Sequence, residues 1–467
     1  MSPGLIRGGA DGWDGIWAGA VWRPPPGKRG ANLHAALVAQ PCPCIRRLAG
    51  TRAREMQFTR LLRNHSVTAD EMAATAAERT AIQAAGRDVV VIQDTSELAL
   101  GGRRAKANGY GPVGKGGGLR GLLLHAVLAV DAVSGAVIGL ADAKVRNRTG
   151  GKVQSRRLRA TTGKESQRWI DGTRRAGEVL AAANSITGVS DRESDIYEHF
   201  ASRPANMHLI VRACQNRQIQ TGNGDPPGLL FCYSDDLKPH GVVKAEIPAA
   251  PGRKARVAEL AVRFARVVLC KPKHAKGGQL PATIALTLID VRETSQPQEG
   301  EAIHWRLLTT HEVTSLGRAC RIIELYRRRW IIEEFFHTLK TAGFDIEAAD
   351  IGDPEVMIKF VTAATVAAVT VMQLVKARDG TTGQNLAEAF DPADQPILEA
   401  VSERLEGKTA RQKNPHPKGS LGFASWVMGR LGGWTGYYGK PGPKVMRRGL
   451  EAFQHIKSGA MLRVQNV

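Results

Sequence analysis

Short β-branched runs, interrupted by stretches of helical spacing, set the frame of this chain. DVVVIQDTSEL (88–98) is a β-branched run that ends in an acid. LLLHAVLAVD (122–131) and GAVIGLADAKV (135–145) read as two strands joined by DAVSG as a hairpin turn. KESQRWIDGTRRAGEVLAAA (164–183) has helical spacing, SITGVSDRESDIYEHF (185–200) reads as a strand into a helix, and MHLIVRA (207–213) as another strand. That succession predicts a mixed α/β layer. From about 215 to 305, proline, glycine and runs such as VVKAEIP and TIALTLIDV predict a β-rich insertion. TSLGRACRIIELYRRRWIIEEFFHTLK returns the chain to helix through about Lys376, and a smaller helical domain follows. Upstream, residues 51–85 are helical in pattern, with a boundary inside FTRLLRNHSVTADEM. Residues 1–50 hold Trp13, Trp17, Trp22 and a Pro-Pro-Pro run without a clear period, and no structure is assigned to them.

Composition narrows the class. At roughly 100–200 residues per domain, 467 residues suggest two to four domains. An apolar content of 43% allows a sizeable core and argues against wholesale disorder. The formal charge of +21 points to a polyanionic partner, most often nucleic acid, with a merely basic soluble protein as the alternative. Six scattered cysteines, no CxxC pair and no secretory leader predict a reduced, cytoplasmic protein without a zinc ribbon. The longest apolar run, near Val361–Val375, contains threonines and falls short of the ~20 residues that span a bilayer, so a buried helix and no membrane partner are expected.

Two acids stand where apolar strands stop. Asp94 ends the run VVVI, and Asp191 closes SITGVS. A carboxylate just past a strand is held firmly yet reachable, as a metal ligand must be. Most such residues are turn formers or caps. Asp131 reads as a turn residue and Asp195 as an early-helix charge.

A third acid sits in YRRRWIIEEFFHTLK (326–340). At 100° per residue, Arg329, Glu333 and Lys340 fall within about 60° of Tyr326. Ile331, Ile332, Phe335, Phe336 and Leu339 occupy the other arc, and Glu334 points about 100° from Glu333. An amphipathic helix with charge pairs on its wet face is the plainer reading. It accounts for Glu333 beside Arg329 better than for tyrosine and lysine on the same stripe. Three carboxylates, Asp94, Asp191 and Glu333, could hold two Mg²⁺ ions, or Mn²⁺, and paired metals suit phosphodiester chemistry. No Cys/His cluster favours zinc. The cations of the stripe could grip the neighbouring phosphate.

These residues resemble a family signature. Tyr326, Arg329, Glu333 and Lys340 meet the spacing Y-x2-R-x3-E-x6-K of DDE transposases of the insertion-sequence-four family, the group typified by the transposon-five transposase. DTSEL (94–98) and VSDRESDIYEHF resemble the first and second aspartate motifs. LLRNHSVTADEM, HWRLLTT (304–310) and GSLGFASWVMGRLGG (419–433) extend the likeness over about residues 51–460.

The resemblance implies an α/β fold: an RNase H-like mixed-sheet catalytic core interrupted by a β-rich insertion, with an N-terminal helical region and a C-terminal helical domain. Its parts would be residues 1–50 as an atypical start, 51–86 as a remnant helical DNA-binding region, 87–214 and 306–378 as the core, 215–305 as the insertion and 379–467 as a dimerisation domain. It implies Asp94, Asp191 and Glu333 as the catalytic, metal-binding triad. Tyr326, Arg329 and Lys340 would hold the DNA backbone, Trp305 would stack on a flipped base, and Arg192 and Arg212 match basic positions near the site. The implied chemistry is cut-and-paste transposition, with nicking, hairpin formation and resolution, and strand transfer. The implied partners are double-stranded DNA, as transposon inverted-repeat ends and target, and a second copy in a homodimer. A non-catalytic DNA-binding regulator, or an RNase H-like nuclease, are the other readings. Two departures stand out: residues 1–50 do not resemble the family's end-reading domain, and Cys214 stands where members tend to carry lysine. Between Asp142 and Glu165 the chain has eight Lys/Arg and no acid: Lys144, Arg146, Arg148, Lys152, Arg156, Arg157, Arg159 and Lys164. This loop reads as a DNA contact or as a solvated charged surface.

Overall fold

Where a carboxylate or threonine stands just before an apolar-periodic run, a helix begins. The computed structural model shows this repeatedly; it describes residues 26–102, 109–148, 165–220, 228–247, 254–273, 275, 280–297 and 300–464. In chain order the elements are α1 (Pro26–Ala39), α2 (Ile45–Ala49), α3 (Arg52–Arg63), α4 (Ala69–Ala84), β1 (Asp88–Ala99), β2 (Gly111–Val113), β3 (Leu119–Asp131), β4 (Val137–Arg146), α5 (Gln167–Val179), β5 (Ser185–Ser190), α6 (Tyr197–Ala201), β6 (Met207–Arg212), β7 (Gln218–Gln220), β8 (Gly228–Leu229), α7 (Leu230–Asp236), β9 (Gly241–Ile247), β10 (Arg256–Cys270), β11 (Thr283–Glu293), β12 (His304–Thr309), α8 (Leu316–Arg327), α9 (Trp330–Lys340), α10 (Pro354–Ala377), α11 (Gln395–Leu405), α12 (Leu421–Leu431) and α13 (Pro443–Val464). The fold is mixed α/β, and most strand pairings are antiparallel. The described residues form two units, one from Met1–Ala85, Thr95–Gly150 and Ile332–Val467, the other from Gly86–Asp94 and Gly151–Ile331.

The first unit is built on the β3–β4 hairpin. Asp131 makes the turn by accepting from Val133 N, Ser134 N and Ser134 Oγ, and Gly135 takes φ 76°. Helix α4 lies on β4. Its capping box joins Thr68 and Glu71, and Thr80 Oγ1 donates to Leu140 O at 2.8 Å. A Cβ at Gly139 would stand 2.2 Å from that hydroxyl, so the close approach depends on glycine. Helix α10 starts at the Asp353 cap with Pro354 in its first turn, and Gln373 Nε2 donates to Ile138 O. At 24 residues α10 is long and apolar enough to cross a membrane, which the shorter run Val361–Val375 did not suggest. It is nearly all buried, as in a core helix.

No structure was expected before residue 51, yet α1 and α2 are helical. Leu33, Ala36 and Leu37 recur at helical spacing and are buried, a short amphipathic signal that the surrounding Gly and Pro obscure. Residues 1–25, with Trp13, Trp17 and Trp22, lie outside the described residues.

The second unit carries parallel pairing of β1 with β5 and of β5 with β6, followed by antiparallel β6–β12–β11–β10. Strands β9 and β7 both pair with β10, and β8 pairs with β7. The segment expected as a β-rich insertion also contains α7. It does not keep a core of its own. Tyr197, Phe200, Leu209 and Val211 pack in one cluster with Val267, Leu269, Leu286 and Leu288. Burying both sets of side chains together removes more apolar surface from water than either could alone.

Candidate active site

Asp94 lies within β1 rather than past its end. The strand continues because TSELA alternates partly buried and buried positions after the fully apolar run. The ladder to β5 nevertheless stops at Ile92–Val189, two residues before Asp94. Asp191 directly follows β5 and caps the short 3₁₀ turn Arg192–Ser194, with Oδ1 accepting from Glu193 N at 2.9 Å. Its Oδ2 has no hydrogen-bonding protein partner among the described residues.

Helical phase through Tyr326–Lys340 is not continuous. Helix α8 ends at Arg327, and Arg328 N and Arg329 N donate to Leu325 O and Tyr326 O, three residues back. This tightened turn separates Tyr326 and Arg329 from α9, so the single stripe expected from a uniform 100° step is broken after Arg327. The apolar arc of α9 is as expected: Ile331, Ile332, Phe335, Phe336 and Leu339 are buried.

Seven of the nine candidates belong to the second unit, and three of them lie around the Tyr326 hydroxyl. The Arg212 and Arg329 guanidiniums and the Asp191 carboxylate all act electrostatically on Tyr326. Burial raises the tyrosine pKa; the two arginines oppose that rise, and Asp191 adds to it. Arg212 ends β6 and donates to His304 O at 3.0 Å. Burial lowers its pKa, and the charges of Arg192 and Arg329 push the same way, while Tyr326 holds it up. Arg329 Nη1 stands 3.7 Å from Asp94 Oδ2, and its guanidinium lies over the ring of exposed Trp330. Trp305 meets Tyr326 edge-on, with ring centroids 5.6 Å apart. Two carboxylates, three arginines and two aromatic rings thus share one neighbourhood, with Arg192 exposed at its rim.

Glu333 and Lys340 belong to the first unit. Glu333 is exposed on the first turn of α9. Its neighbour Glu334 faces α10, where Lys376 Nζ is 2.7 Å from Oε2. Lys340 Nζ donates to Glu97 O at 2.5 Å and stands 3.5 Å from Glu347 Oε1. Glu97 also accepts from Gly114 N and from Arg148.

The basic loop is partly described. Lys144 pairs with Asp70 and Arg148 with Glu97, each at 2.9 Å, while Arg146 is exposed. Lys152, Arg156, Arg157, Arg159 and Lys164 lie outside the described residues.

Sequence reasoning missed two polar centres. Asp195, read as an early-helix charge, is buried and bonded to Arg217, and it accepts from Cys214 N and Gln215 N. It therefore fixes the Asp191 turn to the chain after β6. Asp290 is fully buried among Ser234, Arg263, Arg292, His304 and Arg306. Hydrogen bonds from Arg292, Ser234 and His304 hold its carboxyl below the usual range against the opposing effect of burial. An acid closing the run TIALTLID, with Arg two residues on, was the available signal.

Among the described residues, no group of three or more His, Cys, Asp and Glu side chains is arranged to hold a metal ion. The candidate donors are all carboxylate oxygens, and the six cysteines are free and dispersed, a donor chemistry suited to hard divalent cations. A family model described as a transposase DDE domain matches residues 47–368, more than half of the 467-residue chain.

Proposed function

The chain belongs to the DDE transposase family, and on that premise we propose that it is a cut-and-paste DNA transposase of the insertion-sequence-four type. Asp94, Asp191 and Glu333 are its catalytic acids and would hold divalent metal, Mg²⁺ or Mn²⁺. Bound metal would supply charge stabilisation to the attacking and leaving oxygens of a phosphodiester. The DNA comprises the element's inverted-repeat ends and a target, and two copies of the chain act together.

The observation that carries the reading is the cluster of Asp94, Asp191, Arg212, Trp305, Tyr326 and Arg329. Arg212 and Arg329 are suited to grip a phosphate, since a guanidinium matches its oxygens in a fork. The Tyr326 hydroxyl, kept protonated by burial, can donate to the same backbone. Trp305 offers a ring on which an extruded base can stack during hairpin formation. Asp191, with one oxygen tied to backbone, is orientated without being used up. Lys340, now held against Glu97 O and Glu347, would be a further phosphate contact from α9.

The test is cleavage of duplex DNA carrying the element's own terminal repeats, with and without Mg²⁺. Glu333→Ala should abolish cleavage while leaving DNA binding largely intact. Binding lost as severely as cleavage would remove Glu333 from the proposed role. Cleavage of RNA–DNA hybrids without end specificity would favour a nuclease instead. Binding without cleavage in the unmodified chain would favour a regulatory role.

A further inference from the structure

From Gly407 to Leu450 the chain has nine Lys/Arg and no acid. Within this stretch, the loop after α12 presents Tyr437 and Tyr438 to solvent, 48% and 87% exposed. Two adjacent exposed rings make a small apolar patch, and a patch rimmed by polar residues marks an interaction site. The loop is a built one. Trp434 Nε1 donates to Gly439 O at 3.1 Å, closing it across its tip. Arg430 donates to Thr435 O and, at 3.1 Å, to Leu405 O, and Arg378 Nη1 donates to Pro441 O at 2.9 Å. Gly436 takes φ 89° and Gly439 φ 60°, conformations that side chains would strain. The two tyrosines are therefore presented on a fastened support.

The same support carries cations. A Cβ at Gly436 would lie 3.5 Å from Arg411 O, so the short turn Ala410–Gln412 rests against the tyrosine loop. Lys408, Arg411 and Lys413 are all exposed on or beside that turn and pair with no carboxylate among the described residues. Of the acids on and just after neighbouring α11, Glu399 takes Lys418 at 2.7 Å, Glu406 accepts from Ser402 Oγ and Asn414 N, and exposed Glu403 acts on the Lys418 charge.

We propose that Tyr437, Tyr438 and the Lys408–Lys413 turn form a DNA-contact surface in the C-terminal part of the chain, separate in sequence from every residue of the proposed active site. The occupant is a nucleic-acid backbone. The cations contact phosphates, and the rings lie against the sugars of the backbone, a contact that tolerates any sequence. A second copy seated on this face by two-fold symmetry would bring like charges together. The proposal rests on the reading that this chain handles duplex DNA.

The experiment is fluorescence anisotropy of the full chain with a short duplex of arbitrary sequence, in EDTA, across a salt series. Replacing Lys408, Arg411 and Lys413 together by Ala should flatten the plot of log affinity against log salt by roughly 2 to 3, at about 0.9 per phosphate contact. The double change Tyr437→Ala, Tyr438→Ala should weaken binding about tenfold or more at fixed salt with the slope kept, and the double Phe variant should bind normally. Unchanged affinity and slope in both Ala variants would overturn the proposal. So would a change in sedimentation state with DNA binding intact, which would assign the face to a second copy. Because the assay needs no metal and no cleavage, an inactive chain whose binding still depends on this loop would count against the catalytic reading alone.

Discussion

Arg329 places its guanidinium 3.7 Å from the Asp94 carboxylate, and their side chains are only 11% and 21% exposed. The contact links the turn after α8 to the middle of β1, two residues past the point where the β5 ladder stops. Arg329→Ala should lower DNA cleavage at least a hundredfold, since it removes a phosphate grip and the partner that orientates Asp94. The stability cost should be no more than about 1–2 kcal/mol for a partly exposed pair. Arg329→Lys should recover only part of the activity, because an ammonium keeps the charge without the planar fork. Single-turnover cleavage beside a urea melt separates the two effects; wild-type cleavage by the Ala variant would rule the role out.

Asp191 and Asp195 stand four residues apart and should behave oppositely. Asp195 is buried against Arg217, and removing one partner of such a pair leaves an uncompensated charge at a cost of about 3–5 kcal/mol. Asp195→Ala should therefore unfold at much lower urea. Asp191→Asn should leave the midpoint nearly unchanged, because the amide oxygen can still accept from Glu193 N, yet abolish cleavage. Equal stability losses in the two variants would contradict this division.

The hairpin Leu119–Arg146 was legible because its apolar runs are long and its turn carries Asp131, Ser134 and Gly135, each with local work to do. The buried arc of α9 was legible for the same reason of period. The break at Arg328 was not, since arginine is a good helix former and the interruption is a tightening to three-residue bonds that no residue type announces. Asp94 looked like a strand end because the apolar run stops there; the strand extends where burial changes from both faces to one. Asp195 was misread because its partner Arg217 is 22 residues away, and helix-start propensity carries no information about that pairing. Seven candidate residues meet in the second unit because strands β1, β5, β6 and β12 and the end of α8 are brought there by non-local pairing, which spacing alone cannot reveal.

Acid should destabilise the second unit through His199. It is buried, with its ring nitrogens against Thr173 Oγ1 at 2.7 Å and Ser194 O at 3.2 Å. Burial lowers its pKa from 6.5 to about 4, despite the opposing effects of Ser194 and Asp195. The folded value lies below the unfolded one, so the unfolded chain takes up the proton first. Stability is complete above pH 6.5 and falls as pH drops towards 4, by about 3 kcal/mol in all. His199→Asn should start less stable and lose less on acidification. Parallel curves of denaturation midpoint against pH for the two proteins would exclude His199 as the group responsible.

Glu333 and Glu334 are chemically identical neighbours with different surroundings. Glu334 is 2.7 Å from Lys376, an arrangement that ties α9 to α10, whereas Glu333 is exposed on the first turn of α9. Glu334→Gln keeps the side-chain shape and a hydrogen-bond acceptor but gives up the charge, and a pair with both members partly exposed contributes about 0.5–1 kcal/mol. Its cleavage of end-bearing DNA should stay within a few-fold of wild type. Glu333→Gln keeps the side-chain shape at an exposed position, so the thermal midpoint should shift by only a few degrees, and cleavage should fall by three orders of magnitude or more if it is the third acid. Raising Mn²⁺ should not restore it, because an amide oxygen is a poor substitute for a carboxylate ligand. The reverse pattern, with Glu334→Gln inactive and Glu333→Gln active, would shift the catalytic role by one residue and with it the face of α9 that serves the DNA.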